Sequence, residues 1–127
     1  MSYTIKNLRD VEDKAPQFGF DAVQEARFAH PDLNAESTGL SFIRVKPGCR
    51  QAFAHRHEEA EEIYVVISGS GRVKLDDEIE ELKTLDAIRV APTVARQFEA
   101  DDDGLELLAL GARHEKDGEI IKEGIFG

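Results

Sequence analysis

Tryptophan is absent from this chain, and cysteine and methionine occur once each. A single cysteine, Cys49, excludes an internal disulfide framework and any cysteine-rich zinc module. Positive charge is also scarce: 16 Lys and Arg stand against 26 Asp and Glu, a net charge of -10. That balance works against polyanion binding, because phosphate neutralisation supplies most nucleic-acid affinity. Nucleic acid and anionic membrane surfaces are therefore not expected as partners, and the acidity reads as a device for solubility. No apolar run approaches the ~20 residues of a membrane span. The opening residues Met1-Ser2-Tyr3-Thr4-Ile5-Lys6 lack the apolar stretch of a signal peptide, so the cytoplasm is the default location. Internal repeats, linkers and low-complexity segments are missing as well. The 127 residues suit one domain with one core, about residues 40–110, on which the segments 1–39 and 111–127 pack.

What the chain does contain is a succession of short alternating apolar runs divided by turn residues. Strands are expected at Leu40 to Val45, Arg50 to His57, Glu62 to Ile67, Arg72 to Leu75, Glu78 to Leu82, Asp86 to Ala91, Arg96 to Ala100 and Leu105 to Leu110. Pro47-Gly48 and Asp76-Asp77 mark turns, Ser68-Gly69-Ser70-Gly71 reads as a hairpin connection, and Asp101-Asp102-Asp103-Gly104 as an acidic turn. A helical turn capped by Asn7 and ended by Pro16 is the one helix expected. The class is therefore all-β, with about eight antiparallel strands. On the strand from Glu62 to Ile67, the residues Ile63, Val65 and Ile67 make one face wholly apolar. Such a face needs cover, from the N-terminal chain or from a second copy of the chain, and a homodimer is the expected form.

The chemistry concentrates in His55-Arg56-His57-Glu58-Glu59-Ala60-Glu61-Glu62. In a strand side chains alternate, so His55 and His57 point the same way and Arg56 points opposite. Glu62 opens the next strand on the face it shares with Tyr64, whereas Glu61 falls in the turn or on the Ile63 face. Two imidazole nitrogens and a carboxylate oxygen, with positions left open, are the donor set of a 2-His-1-carboxylate metal centre. His-x-His alone would be as well explained by two polar residues on a half-exposed strand.

These residues resemble the first motif of the cupin family: Gly48, a spacer of six residues, His55-x-His57, four residues, Glu62, six residues, Gly69. The first spacer is one residue longer than the common form. Asp86 to Phe98 resembles the second cupin motif, with its strand, Pro92 turn and terminal Phe98. Here the family's ligand histidine is replaced by Arg96, the turn glycine by Thr93 and the opening glycine by Leu85. The resemblance spans about Leu40 to Leu110. It implies a double-stranded β-helix, or jelly-roll barrel, with a divalent metal (Fe, Mn or Zn) held by His55, His57 and Glu62 at its centre.

Arg96 has three arrangements open to it. It can clamp a carboxylate or phosphate of an anionic substrate, pair with Glu62 in a metal-free site, or swing out along the rim as arginines commonly do. It cannot itself ligate a metal, having donors only. Tyr64 is the candidate acid or hydrogen-bond donor, and Phe42, Phe53 and Phe98 the candidate barrel walls. His30 and His114 are each able to supply a fourth ligand from a terminal segment, though a loop and a surface position are their ordinary readings. The expected function is a metal-centred pocket binding a small, anionic molecule, in a metal-dependent oxygenase or isomerase. The rivals are a non-catalytic ligand-binding or sensor module with a metal-poor site, and a structural homodimer whose histidines are vestigial.

Overall fold

Alternation of apolar and polar residues produces eight strands in the computed structural model, which describes residues 2–114 and 116–127. They are β1 (Gln24–Phe28), β2 (Thr38–Val45), β3 (Ala54–His57), β4 (Glu62–Leu75), β5 (Glu78–Lys83), β6 (Ala87–Val90), β7 (Arg96–Ala112) and β8 (Gly118–Ile121). Two one-turn helices, α1 (Ala15–Phe18) and α2 (His30–Leu33), flank β1. Every pairing is antiparallel, in the order β1-β2-β7-β3-β8, with β4 joining β7 to β5 and β6. Among the described residues no helix is long and apolar enough to cross a membrane.

Two expected turns are overturned. Ser68 to Gly71 is no hairpin and Asp101 to Gly104 no inter-strand loop: β4 and β7 each run through them as one long strand. Both sites are corners at which the strand passes from one half of the barrel to the other. Inward residues sit at even positions before the corner of β4 (Tyr64, Val66) and at an odd one after it (Val73). In β7 the phase changes from Phe98 and Ala100 to Leu105, Leu107 and Ala109. The pairing goes from Gly69 with Leu105 to Gly71 with Ala100, so β7 spends five residues where β4 spends two. A phase break of that kind looks like a turn when read as pattern alone. Glycine is required there, since a Cβ on Gly69 or Gly71 would collide with the carbonyl oxygens of Gly104 and Glu99.

Both halves of the curled sheet contribute to one core: Ile43, Val45, Tyr64, Val66, Leu105 and Leu107 from one, Val73, Leu82, Phe98 and Ala100 from the other. Phe98 is fully buried, as expected of a barrel wall. Phe42 and Phe53 are not walls. Phe42 lies on the outer face of β2 with Arg44, beside Ile67, and Phe53 packs on Phe20 with ring centroids 5.2 Å apart. At the N-terminus Asn7 caps a 3-10 turn, Leu8–Asp10, by accepting from the Arg9 N–H. Pro16 does not end that turn but sits in the first turn of α1, where its missing N–H costs nothing. β1 and β8 lie outside the expected strands; β8 pairs with β3, and Phe126 beyond it lies 4.7 Å beneath the Arg50 guanidinium.

Gly71→Ala is expected to destabilise the protein by at least about 3 kcal/mol, because backbone on the partner strand must move. Gly48→Ala is expected to cost only about 1 kcal/mol: Gly48 has φ +69 but open space around it. Urea denaturation of both variants checks this, and equal small losses would show that the corner tolerates a side chain.

Candidate metal centre

Local chain geometry builds most of the site. Strand alternation on β3 turns His55 and His57 inward, while Arg56 faces out and pairs with Glu119 at 3.0 Å. The chain reverses through Glu58 to Glu61 and enters β4 at Glu62. Its carboxylate Oε1 lies 3.4 Å from His55 Nε2 and 3.0 Å from His57 Nε2. Glu61 points away to an exposed pair with Arg89 at 3.2 Å, which leaves Glu62 as the inward carboxylate. One ligand atom each from His55, His57 and Glu62 lies within 4.8 Å of the others; among the described residues no further such group occurs. His30 and His114 are not in it.

Tyr64 follows Glu62 on the same face and is buried, its hydroxyl donating to Glu62 Oε1 at 2.6 Å and lying 3.3 Å from His55 Nε2. Burial, and then the Glu62 charge, push its pKa well above the usual phenol value, so Tyr64 stays a proton donor. Burial alone would raise the Glu62 pKa, but hydrogen bonds from His55, His57 and Tyr64 outweigh it and hold the carboxyl well below its usual range.

Arg96 does not swing out along the rim. It is completely buried, in register with His55, and its guanidinium donates to the carbonyls of Pro92 at 3.3 Å and Ala91 at 3.4 Å. The Nη2 lies 3.9 Å from Glu62 Oε1, and Nε has no hydrogen-bond partner among the described residues. Arg96 shares the inward phase of Phe98 and Ala100, which leaves it no route to solvent. Glu62 provides the opposite charge that a buried cation requires.

Asp117 was not foreseen. Its carboxylate accepts the backbone N–H groups of Glu58, Glu59 and Ala60 at 3.1, 2.9 and 2.9 Å, fixing the turn that joins the two halves of the site. Its Oδ2 also lies 3.3 Å from His57 Nδ1, close enough for charge to act but without hydrogen-bond geometry, so Nδ1 is buried with no hydrogen-bond partner among the described residues. Two imidazole nitrogens and one carboxylate oxygen, each within 4.8 Å of the others, are a donor set that fits a divalent cation held by His55, His57 and Glu62. Nothing in the sequence around Asp117 announces this role, because the contact joins the C-terminal tail to a turn far away in the chain.

A cavity of about 250 Å³ adjoins the centre, its lining including His57 and Glu62 together with His30, Arg113 and His114. Arg96, Tyr64 and His55 do not line it.

The chain matches the cupin domain over residues 41–111 and belongs to the cupin family. Curated proteins yield no match. Among solved structures it resembles a cupin protein from Bacteroides fragilis at 24% identity, covering 100% of this chain and 98% of that one, with a TM-score of 0.71. A sugar phosphate isomerase of the cupin superfamily from Silicibacter pomeroyi aligns at 14% identity over 94% of this chain and 93% of its own, TM-score 0.72. Oxalate decarboxylase from Bacillus subtilis aligns at 23% identity over 91% of this chain and 32% of its own, TM-score 0.69. At these identities the likeness defines the fold.

Burial raises the Asp117 pKa, yet its three backbone hydrogen bonds and His57 bring it below the usual aspartate range. A carboxyl that titrates lower in the folded state stabilises above its unfolded pKa, and that contribution is lost as pH falls through the folded value. Asp117→Asn is therefore expected to be less stable than wild type at neutral pH, with the gap shrinking on acidification below the usual aspartate range. Urea denaturation at a series of pH values checks this; a gap constant with pH would mean that the carboxylate's charge is immaterial.

Proposed function

We propose that this protein is a small metal-binding cupin whose barrel cavity receives a small anionic molecule. The observation that carries the reading is the convergence of His55, His57 and Glu62 ligand atoms, two of whose residues, His57 and Glu62, also line a cavity of about 250 Å³. Two structural neighbours bear names of anionic substrates, an oxalate and a sugar phosphate, which supports the choice of ligand charge. A bound divalent metal with open positions supplies Lewis acidity or an oxygen-binding site, the chemistry of an isomerase or an oxygenase. Fe(II) and Mn(II) suit the donors, and Zn(II) is compatible with them.

Each residue then has a part. His55 and His57 present imidazole nitrogens, and Asp117 fixes the turn between them and Glu62. Tyr64 keeps its proton and points it at Glu62, so its proposed role as acid or donor is exercised on the carboxylate. Arg96 fixes positive charge behind Glu62. A free thiol at Cys49 accords with the cytoplasm, where we place the protein.

The alternative is a non-catalytic ligand-binding or sensor cupin without metal. Arg96 favours it, standing where the second motif would carry a fourth ligand. Metal analysis of protein purified without an affinity tag separates the two readings. Wild type is expected to bind Mn(II) in calorimetry, His57→Ala and Glu62→Gln to bind at least about a hundredfold more weakly, and Arg96→His at least about tenfold more tightly. Wild type that takes up none of Mn, Fe or Zn decides for the metal-free alternative.

The homodimer belongs to the same proposal. Ile63 and Ile67 are 44% and 37% exposed on the outer face of β4. Beside them stands the exposed Arg89–Glu61 pair, a rim of both signs that two-fold symmetry can match to itself. Sedimentation equilibrium at micromolar concentration is expected to give a dimer, and Ile63→Glu a monomer. A monomeric wild type would remove the proposal.

A further inference from the structure

We infer that Arg113, with His30 beside it, is the anion-recognition end of the cavity, so that the ligand is a compact molecule bearing a carboxylate or phosphate. This rests on the reading above and moves recognition away from Arg96, which does not reach the cavity.

Charge distribution is the first observation. In a chain with 26 acidic and 16 basic residues, the cavity is lined by one carboxylate, Glu62, and by His30, His57, Arg113 and His114. Glu62 is already engaged by His57, Tyr64 and Arg96. Glu59 lies 3.2 Å from His114, which leaves Arg113 and His30 as the remaining basic pair on the lining.

Pairing is the second. Among the described residues, every arginine except Arg9 and Arg113 has a carboxylate within ion-pair distance. Among the described residues Arg113 donates to the backbone carbonyl of Ala35, at 3.3 Å, and to no carboxylate, which steadies the side chain and leaves guanidinium donors for a ligand. Its charge reaches His30, whose pKa is pushed down by burial and then by Arg113. An oxyanion between the two satisfies both, and a guanidinium suits the paired oxygens of carboxylate or phosphate.

Space is the third. A Cβ on Gly39 would stand 3.2 Å from the Gly111 carbonyl oxygen and 3.5 Å from Arg113 Cγ, so glycine at this position keeps the cavity open beside Arg113. A volume of about 250 Å³ lies below the range of drug-sized pockets and selects a compact ligand.

Calorimetry with malonate and with inorganic phosphate tests this on Mn(II)-treated wild type, Arg113→Gln, Arg113→Lys and His30→Gln, with Mn(II) affinity measured separately for each. One of the two anions is expected to bind saturably to wild type, and which one binds tells carboxylate from phosphate. Arg113→Gln should weaken it at least tenfold and His30→Gln less, Arg113→Lys should retain part of the affinity, and Mn(II) affinity should stay within about twofold. The inference is overturned if neither anion binds wild type, if Arg113→Gln binds as well as wild type, or if anion affinity falls only in step with Mn(II) affinity. Arg113-dependent anion binding by a wild type that takes up no metal would instead remove the metal reading and leave this one standing.

Discussion

The site depends on the paired strands β4 and β7 turning back on themselves. Glu62 stands at one end of their ladder, paired with Gly111, and Arg96 at the other, paired with Leu75. Were β4 straight, Glu62 and Leu75 would be about 43 Å apart at ~3.3 Å per residue. Yet Glu62 and Arg96 approach to 3.9 Å. Only a ladder bent at its corner can do this, and the corner is possible because Gly69 and Gly71 offer no Cβ to the opposing carbonyls. The glycines thus stand at the start of the causal sequence: they permit the bend, the bend closes the barrel, and closure brings a carboxylate from one half to the histidines and arginine of the other.

Burial then makes these charges consequential. A carboxylate and a guanidinium about 4 Å apart attract by roughly 4 kcal/mol at an effective dielectric of ~20, several times their attraction in water. Tyr64 adds a donor that burial prevents from ionising. In the absence of metal the pair Glu62–Arg96 is close to neutral. A divalent cation changes the balance, since one carboxylate faces two positive centres. At ~5 Å the repulsion between dication and guanidinium is on the order of 6 kcal/mol at that dielectric, before relaxation. On the proposed reading an anionic ligand would offset part of it, so metal and anion would each favour the other's binding, as two ligands sharing one electrostatic deficit do.

Features written in neighbouring residues were legible in the sequence. The inward phase of His55 and His57, the choice of Glu62 over Glu61 and the alignment of Tyr64 all follow from alternation along one strand. Features that arise where distant segments meet were not. The corners of β4 and β7 change the phase of the pattern as a turn does, so continuity through Ser68–Gly71 could not be read. Asp117 reaches the site from the tail, and its effect is exerted on backbone N–H groups that carry no sequence signal. Arg113 sits one residue before a histidine at the end of β7, where a charged pair ordinarily means solvent. For Arg96 the sequence leaves three arrangements open, and only the structure selects burial beside Glu62 over the rim, because that partner lies on another strand.

Leu85 shows that departure from the family pattern affects backbone and chemistry differently. The second motif places a glycine here, and Leu85 adopts φ +74, the left-handed conformation that glycine takes without cost. Its side chain is 79% exposed, so no packing rewards the strain of about 1–2 kcal/mol. The turn persists because Leu85 N–H donates to the Val66 carbonyl and Val66 N–H to that of Asp86, at 2.8 and 2.9 Å. The barrel thus imposes its backbone path on an unsuitable residue. Arg96 keeps its inward position in the same way, but there the side chain is the chemistry: a donor of electrons to metal has become a fixed cation. The fold tolerates both replacements, and only the second changes the charge beside Glu62.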